Sequence, residues 1–452
     1  MLSLLYLVLF TVTVLPYSQA KPHSLRRTCS AGGKSSSGSK SSSGSQSSTG
    51  SSSGSQPSAG AQSSLVAGGW YAGYHSGDFP IADISWSKYT HLTYSFALTS
   101  PDTSQFGLDS SDVQPLTDFV KAAHQNNVKA LLSIGGWGGS HYYSANVGNE
   151  ANQTAFVKAI TDAVTKYQLD GIDFDWEYPG SPSSGLSCNV VSPQDTTNYL
   201  SFLQKLRADP IGKKLILTAA TSLNPWKGPS GTPLTDVSEF AKVLDWIEIM
   251  NYDVWGGTWS DTVGPNAPLN DSCTSNQDGS AVSAVASWQK AGMPLNQIVL
   301  GVPAYGHSFR VSKADAFTSD SSRELNPFAP ADKTNVPAGD KWDDPAGQDD
   351  GCGNISTVPS GDITFWGLVD AGYLNANGTV AAGIDHVFDA CSQTPFVYNE
   401  KTSVMISYDD AQSFAAKGEY IKSQKLRGFA MWEAGGDSHD ILLDSIRAAV
   451  GF

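Results

Sequence analysis

From residue 66 onward the chain alternates short, almost continuously apolar runs with longer amphipathic stretches. The runs are Gly68–Tyr74, His91–Ala97, Val128–Ile134, Leu169–Asp175, Leu215–Ala220, Trp246–Tyr252, Ile298–Pro303 and Arg427–Trp432. A run that is apolar at nearly every position suits a strand covered on both faces, because successive side chains leave opposite sides. Between the runs, Leu116, Phe119, Val120 and Ala123 recur at helical spacing, as do Phe156, Ile160, Val164 and Tyr167. Strands separated by helices predict an α/β protein with a parallel sheet, and eight of them predict a (β/α)8 barrel. The gap between the seventh and eighth strands, about 306–425, is too long for a βα loop. It is expected to hold an inserted α+β subdomain.

The first 65 residues have a different character. Leu2 to Leu15 is nearly continuous apolar chain followed by Ser18-Gln19-Ala20, a small-x-small cleavage pattern, so residues 1–20 read as a signal peptide and the protein as secreted and extracellular. That run is short for a membrane span and no later run matches it, so no membrane partner is expected. Residues 21–65, nearly all Ser, Gly, Gln and Ala from position 30, cannot bury enough surface to offset chain entropy and read as a flexible linker. Arg26-Arg27 resembles a dibasic processing site. Residues 66–452 form the catalytic unit.

An extracellular setting changes how other residues are read. Asn152, Asn270, Asn354 and Asn377 each open an N-x-S/T sequon, a glycan acceptor pattern. Of five cysteines, Cys29 falls in the linker, leaving Cys188, Cys273, Cys352 and Cys391. The pairing Cys188–Cys273 with Cys352–Cys391 is expected, because each bridge would tie two nearby loops. A net charge of −15 repels nucleic acid and anionic lipid.

The chemistry concentrates in Asp170-Gly-Ile-Asp173-Phe-Asp175-Trp-Glu177-Tyr-Pro-Gly180. On a strand, Asp173, Asp175 and Glu177 share one face while Phe174, Trp176 and Tyr178 share the other. Pro179-Gly180 ends the strand, which leaves Glu177 at its C-terminal lip, where barrel active sites lie. Crowded, partly buried carboxylates cannot all ionise, so at least one pKa rises. A carboxylic acid held protonated near neutrality is what a glycosidase needs to protonate a leaving oxygen. A hard-cation site is disfavoured because the spacing lacks the central Gly and distal Glu of an EF-hand loop. No metal and no cofactor are expected.

Asp170 to Glu177 resembles the D-x-x-D-x-D-x-E signature of glycoside hydrolase family 18, the chitinases. Ser133-Ile-Gly-Gly136-Trp137, Met250-Asn-Tyr252-Asp253, Gly301-Val-Pro-Ala-Tyr305-Gly306 and Gly428-Phe-Ala-Met-Trp432 resemble that family's motifs on the third, sixth, seventh and eighth strands. The resemblance implies a monomeric enzyme acting on chitin and chitooligosaccharides by a retaining, substrate-assisted route. It implies that Glu177 is the acid and base, that Asp175 holds the substrate acetamido group, that Asp173 sits behind Asp175, and that Tyr252 donates to the acetamido oxygen. Asp170 is then structural. Trp432 would floor the central subsite, with Tyr74, Phe96, Gly136, Trp137, Tyr178, Met250, Asp253 and Tyr305 around it. The chain departs from the family at His307, where Arg is frequent, and Arg310 is the candidate to replace that contact. Three other readings are a catalytically dead chitin-binding lectin, an endoglycosidase trimming N-glycans, and a wall-associated structural protein. The retained Glu177, the long insertion and the shortness of the Ser-rich segment speak against them in turn.

Overall fold

The computed structural model describes residues 65–452, apart from 109–111, 183, 276 and 320–322. The leader, Arg26-Arg27, Cys29 and the Ser/Gly-rich segment up to residue 64 lie outside the described residues. Each of the eight apolar runs carries one barrel strand. In chain order the first seven are β1 (Val66–Ala72), β2 (His91–Ala97), β3 (Lys129–Gly135), β4 (Gly171–Asp175), β5 (Ile216–Thr221), β6 (Trp246–Ile249) and β7 (Ile298–Pro303). After them come β8 (Tyr305–Arg310), β9 (Asp362–Thr364), β10 (Asp385–Asp389), β11 (Thr394–Asn399) and β12 (Val404–Ser407), and last β13 (Gly428–Trp432). The strands β1, β13, β7, β6, β5, β4, β3 and β2 pair in that order, all parallel, and close on themselves. Every strand therefore finds two hydrogen-bonding neighbours, and no barrel edge is left open.

The helices cover the outside of this barrel as the apolar spacing requires. On the helix Val113–Gln125 the buried residues are Leu116, Phe119, Val120 and Ala123. The helix Glu150–Tyr167 buries Phe156, Ile160 and Val164, and the Asn149 side chain caps it by accepting from the Asn152 amide. Phe174, pointing out of β4, meets Phe202 edge-on at 5.6 Å, and Phe202 stacks on Phe156 at 5.1 Å. Inside the barrel, Val66, Trp70, Ala220, Trp246, Val299 and Ala430 form a separate apolar layer. The carboxylates sit against that layer.

The insertion is a five-stranded antiparallel sheet in the order β10-β11-β12-β8-β9. Its own core joins Phe309, Phe396, Tyr398 and Met405 to Trp255 and Val263, which come from the loop after β6. The helix Ala411–Gln424, inside the expected bounds of the insertion, instead belongs with the barrel. It crosses the last helix, Ile441–Val450, so closely that a Cβ added at Gly418 would stand 2.6 Å from Ala449 Cβ. Among the described residues no helix is long and apolar enough to cross a membrane.

The expected disulfide pairing is wrong. Cys188 bonds Cys352, and Cys273 bonds Cys391. The insertion does not stand apart from the rim but folds over it. Its 345–356 loop reaches the loop after β4, and its β10–β11 turn lies against the loop after β6, where the Leu269 amide donates to Ser392 O at 2.8 Å. Each bridge thus sews insertion to barrel across 164 and 118 residues of chain. Two sequons meet structure as well: the Asn152 amide group donates to Ala145 O at 2.7 Å, and that of Asn354 to Asp350 at 2.9 Å. Asn270 is half-buried and Asn377 exposed.

Closing long loops removes entropy from the unfolded chain, so each bridge is expected to contribute about 2–4 kcal/mol. Non-reducing peptide mapping should find Cys188–Cys352 and Cys273–Cys391. Cys273→Ser with Cys391→Ser should lower the melting temperature by several degrees, and hydrogen exchange should rise at 254–280 and 385–399 together.

Candidate active site

The barrel register decides what each carboxylate meets. Asp173 on β4 lies opposite Ser133 on β3 and Thr218 on β5. Both hydroxyls donate to it at 2.7 Å, and the Trp70 indole donates at 3.2 Å. One row higher, Asp175 lies between Gly135 and Ala220, neither of which carries a donor. Its Oδ1 is buried and meets no hydrogen-bonding partner among the described residues. Gly135 is required here, since a Cβ at this positive φ would stand 2.1 Å from Asp175 O. The Ser-x-Gly pattern on the third strand is thus one donor for Asp173 and one gap for Asp175.

Glu177 stands beyond the end of β4 and is only 8 % exposed. Its amide donates to Ser140 Oγ and its carbonyl accepts from Asn189 Nδ2, both at 3.0 Å, so two loops clamp the backbone on either side of the side chain. Burial pushes its carboxyl up to about 7, with the Asp253 charge adding to the rise and the Tyr178 hydroxyl opposing it. Burial likewise raises Asp175 well above the carboxylate range, helped by Glu177, Asp173 and Glu248. Asp173 is also raised by burial, although its hydroxyl and indole donors pull the other way. Tyr252 is held protonated, since burial and the carboxylates Asp175 and Asp253 oppose its ionisation. Such a site offers a neutral acid at its mouth, an unsatisfied carboxyl beneath it, and a phenol O–H beside both.

A cleft of about 780 Å³ opens over these groups. Tyr74, Phe96, Trp137, Tyr178, Met250, Tyr252, Asp253, Tyr305 and Trp432 all line it, with Asp175 and Glu177. Trp432 is held between Phe96, stacked at 5.5 Å, and Trp70, edge-on at 5.9 Å. Tyr74 and Trp137, 61 % and 54 % exposed, present their rings to solvent at the rim. Two expectations need correction. Gly136 does not line the cleft; its missing side chain is the space that Phe96 fills, and a Cβ there would come 2.9 Å from Phe96 Cζ. Tyr178 lines the cleft as the resemblance implied, and it is the strand alternation setting it opposite Glu177 that fails, because β4 ends at Asp175.

His307 itself occupies the place expected for Arg310. Buried on β8, it contacts Asp253 through Nε2 at 2.8 Å and Asp362 through Nδ1 at 2.7 Å. Burial alone would lower its pKa, but the Asp362 and Asp253 charges win and push it up to about 10, so it remains a cation. Asp253 also accepts from the Tyr305 hydroxyl at 2.6 Å. Arg310 turns to the other face of β8 and donates to Thr402 O at 2.6 Å. Asp170, at the opposite end of β4, pairs with Lys129 at 2.7 Å and His124 at 2.8 Å, a structural role.

Several site residues went unread in the sequence. Trp70, Ser140 and Asn189 have no local signature, because their partners lie 103, 37 and 12 residues away. Leu98, Leu223 and Asp278 reach the cleft only through loops. Glu248 did carry a signal: an acid at inward spacing within the apolar run of β6.

A barrel with a protonated carboxyl at its C-terminal lip and an aromatic cleft above defines the class of a carbohydrate-active (β/α)8 protein. The chain belongs to glycosyl hydrolases family 18, which it matches over residues 68–437. It is 53 % identical to a chitinase-like effector of Moniliophthora roreri over 86 % of this chain and 93 % of that one. Among solved structures, a chitinase of Rhizomucor miehei superposes with a TM-score of 0.75 at 32 % identity, covering 85 % of this chain and 99 % of that one. A family 18 chitinase of Cycas revoluta in complex with (GlcNAc)3 gives a TM-score of 0.67 at 26 % identity, with coverage of 85 % and 99 %.

The opposed influences on Glu177 give a signed test. In a 13C titration of the carboxyl groups, Asp253→Asn should move the Glu177 midpoint below about 7, because a charge that raises it is gone. Tyr178→Phe should move it above about 7, because a hydrogen bond favouring the ionised form is gone. Shifts of the same sign in both variants would contradict this account of the site.

Proposed function

We propose that this protein is a secreted chitinase that hydrolyses β-1,4-N-acetylglucosamine linkages with retention of configuration. One observation carries the reading: Glu177, buried and held protonated to about pH 7, stands over Asp175, whose Oδ1 meets no donor among the described residues. In the proposed reaction Glu177 gives its proton to the glycosidic oxygen while the substrate's own 2-acetamido carbonyl attacks the anomeric carbon. The orphan Asp175 oxygen takes the acetamido N–H and balances the positive oxazolinium that forms. Tyr252 donates its hydroxyl to the acetamido oxygen. Trp432 supports the sugar from below through its C–H face. Water then adds with Glu177 as base, which returns the acid and retains the configuration. No protein nucleophile is used.

Secretion is part of the proposal. The apolar leader with its Ser18-Gln19-Ala20 site supports it, as do two disulfides and four sequons, which suit an oxidising, glycosylating route. A second reading follows from the Moniliophthora roreri relative, which is called a chitinase-like effector. On that reading the cleft would hold chitooligosaccharides without cutting them.

Product analysis on defined N-acetylglucosamine oligomers separates the two. Wild-type protein should release shorter oligomers, while Glu177→Gln should lose at least about 10²–10⁴-fold in turnover and still bind the oligomer. Binding by the wild type without any new reducing ends would establish the second reading. Cellulose and fully deacetylated oligomers lack the internal nucleophile and should resist; comparable cleavage of cellulose would exclude substrate assistance.

A further inference from the structure

A fourth carboxyl lies inside the barrel and has no part in the reaction just described. Glu248 on β6 is 4 % exposed. The register continues the Asp175 row through Ala220 on β5 to Glu248 and on to Val299 on β7. Ala220 is the gap that lets the long Glu248 side chain reach across β5 toward the aspartates. Its Oε1 accepts from the Trp246 indole N–H at 2.9 Å. Its Oε2 is buried, and no N–H or O–H of the described residues reaches it. A buried, ionised oxygen without a donor is among the costliest arrangements a protein can hold. The cost disappears if that oxygen carries a proton and is itself the donor.

Among the described residues the surroundings offer one acceptor and no neutralising cation. From β4, Asp173 and Asp175 face Glu248, with Glu177 beyond them and Tyr252 past the end of β6. The neighbouring β5 and β7 contribute Thr218, Ala220 and Val299, none of which titrates. Arg427 sits over the Trp246 ring at 4.9 Å and His91 meets that ring at 5.2 Å, so both address the indole rather than the carboxyl. Burial and the Asp173 charge raise Glu248 well above the carboxylate range.

We propose that Glu248 is a positioning residue: a permanently neutral carboxylic acid whose Oε2–H donates to Asp173. Asp173 then has four donors, from Trp70, Ser133, Thr218 and Glu248, and is the ionised member of the buried group in the resting site. Its charge favours a proton on Asp175 in the resting site. When the acetamido N–H arrives, that proton can pass down to Asp173, leaving Asp175 ionised beneath the oxazolinium. The proton on Glu248 stays where it is throughout.

The inference rests on the proposed reaction for its kinetic arm and is independent of it for its spectroscopic arm. Infrared spectra taken about one pH unit above the Glu177 midpoint of about 7 should show a protonated-carboxyl band that loses intensity in Glu248→Gln. On chitooligosaccharides, Glu248→Leu, neutral but unable to donate, should lower kcat on the order of 10- to 100-fold with KM little changed, the loss expected for one hydrogen bond to a charged group. Glu248→Gln keeps a donor and neutrality, so it should restore most of kcat and leave the alkaline limb of the pH profile in place. An unchanged carboxyl band, or an alkaline limb displaced to lower pH in Glu248→Gln, would mean that Glu248 is ionised and would overturn the proposal. So would full kcat in Glu248→Leu. Melting curves and oligomer binding identify a variant that has failed to fold, in which case Glu248→Gln alone decides through the band and the limb. A wild type that binds without cutting would refute the hydrolytic reading while the infrared comparison still judges the proton on Glu248.

Discussion

Four carboxyl groups are buried near one another, Asp173, Asp175 and Glu248 inside a closed barrel and Glu177 at its C-terminal lip, with too few donors to ionise them all. That imbalance organises the site. Each carboxyl ionises only where the register supplies hydrogen bonds, and Asp173 alone receives a full set. Burial raises all four, but only at Asp173 do hydrogen bonds pull strongly the other way, so the others are the ones that hold protons near neutrality. What distinguishes Glu177 is its place at the open end, where a proton can be delivered to a bound molecule.

Closure of the barrel makes the imbalance possible. A parallel strand with neighbours on both sides cannot slide without breaking both ladders, so Ser133 and Thr218 stay level with Asp173 while Gly135 and Ala220 stay level with Asp175. The same register that satisfies one aspartate starves the next. The insertion works at the rim. Its β8 carries His307 to Asp253, a cation where the cleft would otherwise crowd acids, and its loops are bridged to those after β4 and β6. Cleft walls and insertion are therefore one mechanical unit.

Much of this was legible along the chain. The eight apolar runs became the eight barrel strands, and the spacing of Leu116, Phe119, Phe156 and Ile160 chose the buried helix faces. Asp173 and Asp175 could be placed because a two-residue period carries its own direction, and Glu177 because Pro179-Gly180 marks the lip of the strand. The same period puts Tyr178 on the wrong face, since β4 ends before it, and only the family resemblance places it in the cleft. Gly136 was recognised as a motif position and misread as a wall of the cleft, because a motif names a residue without saying whether its side chain or its absence is used.

The sequence alone determined what depends on neighbours within a few residues: strand and helix periods, the barrel they imply, and the inward acids of β4. Only the tertiary structure decided the disulfide partners, the pairing of His307 with Asp253 and Asp362, and the meeting of Glu248 with Asp173. Those contacts join positions from 54 to 164 residues apart. Local pattern carries no information across such spans, because the geometry that closes them is set by barrel register and by how the insertion folds back over the rim.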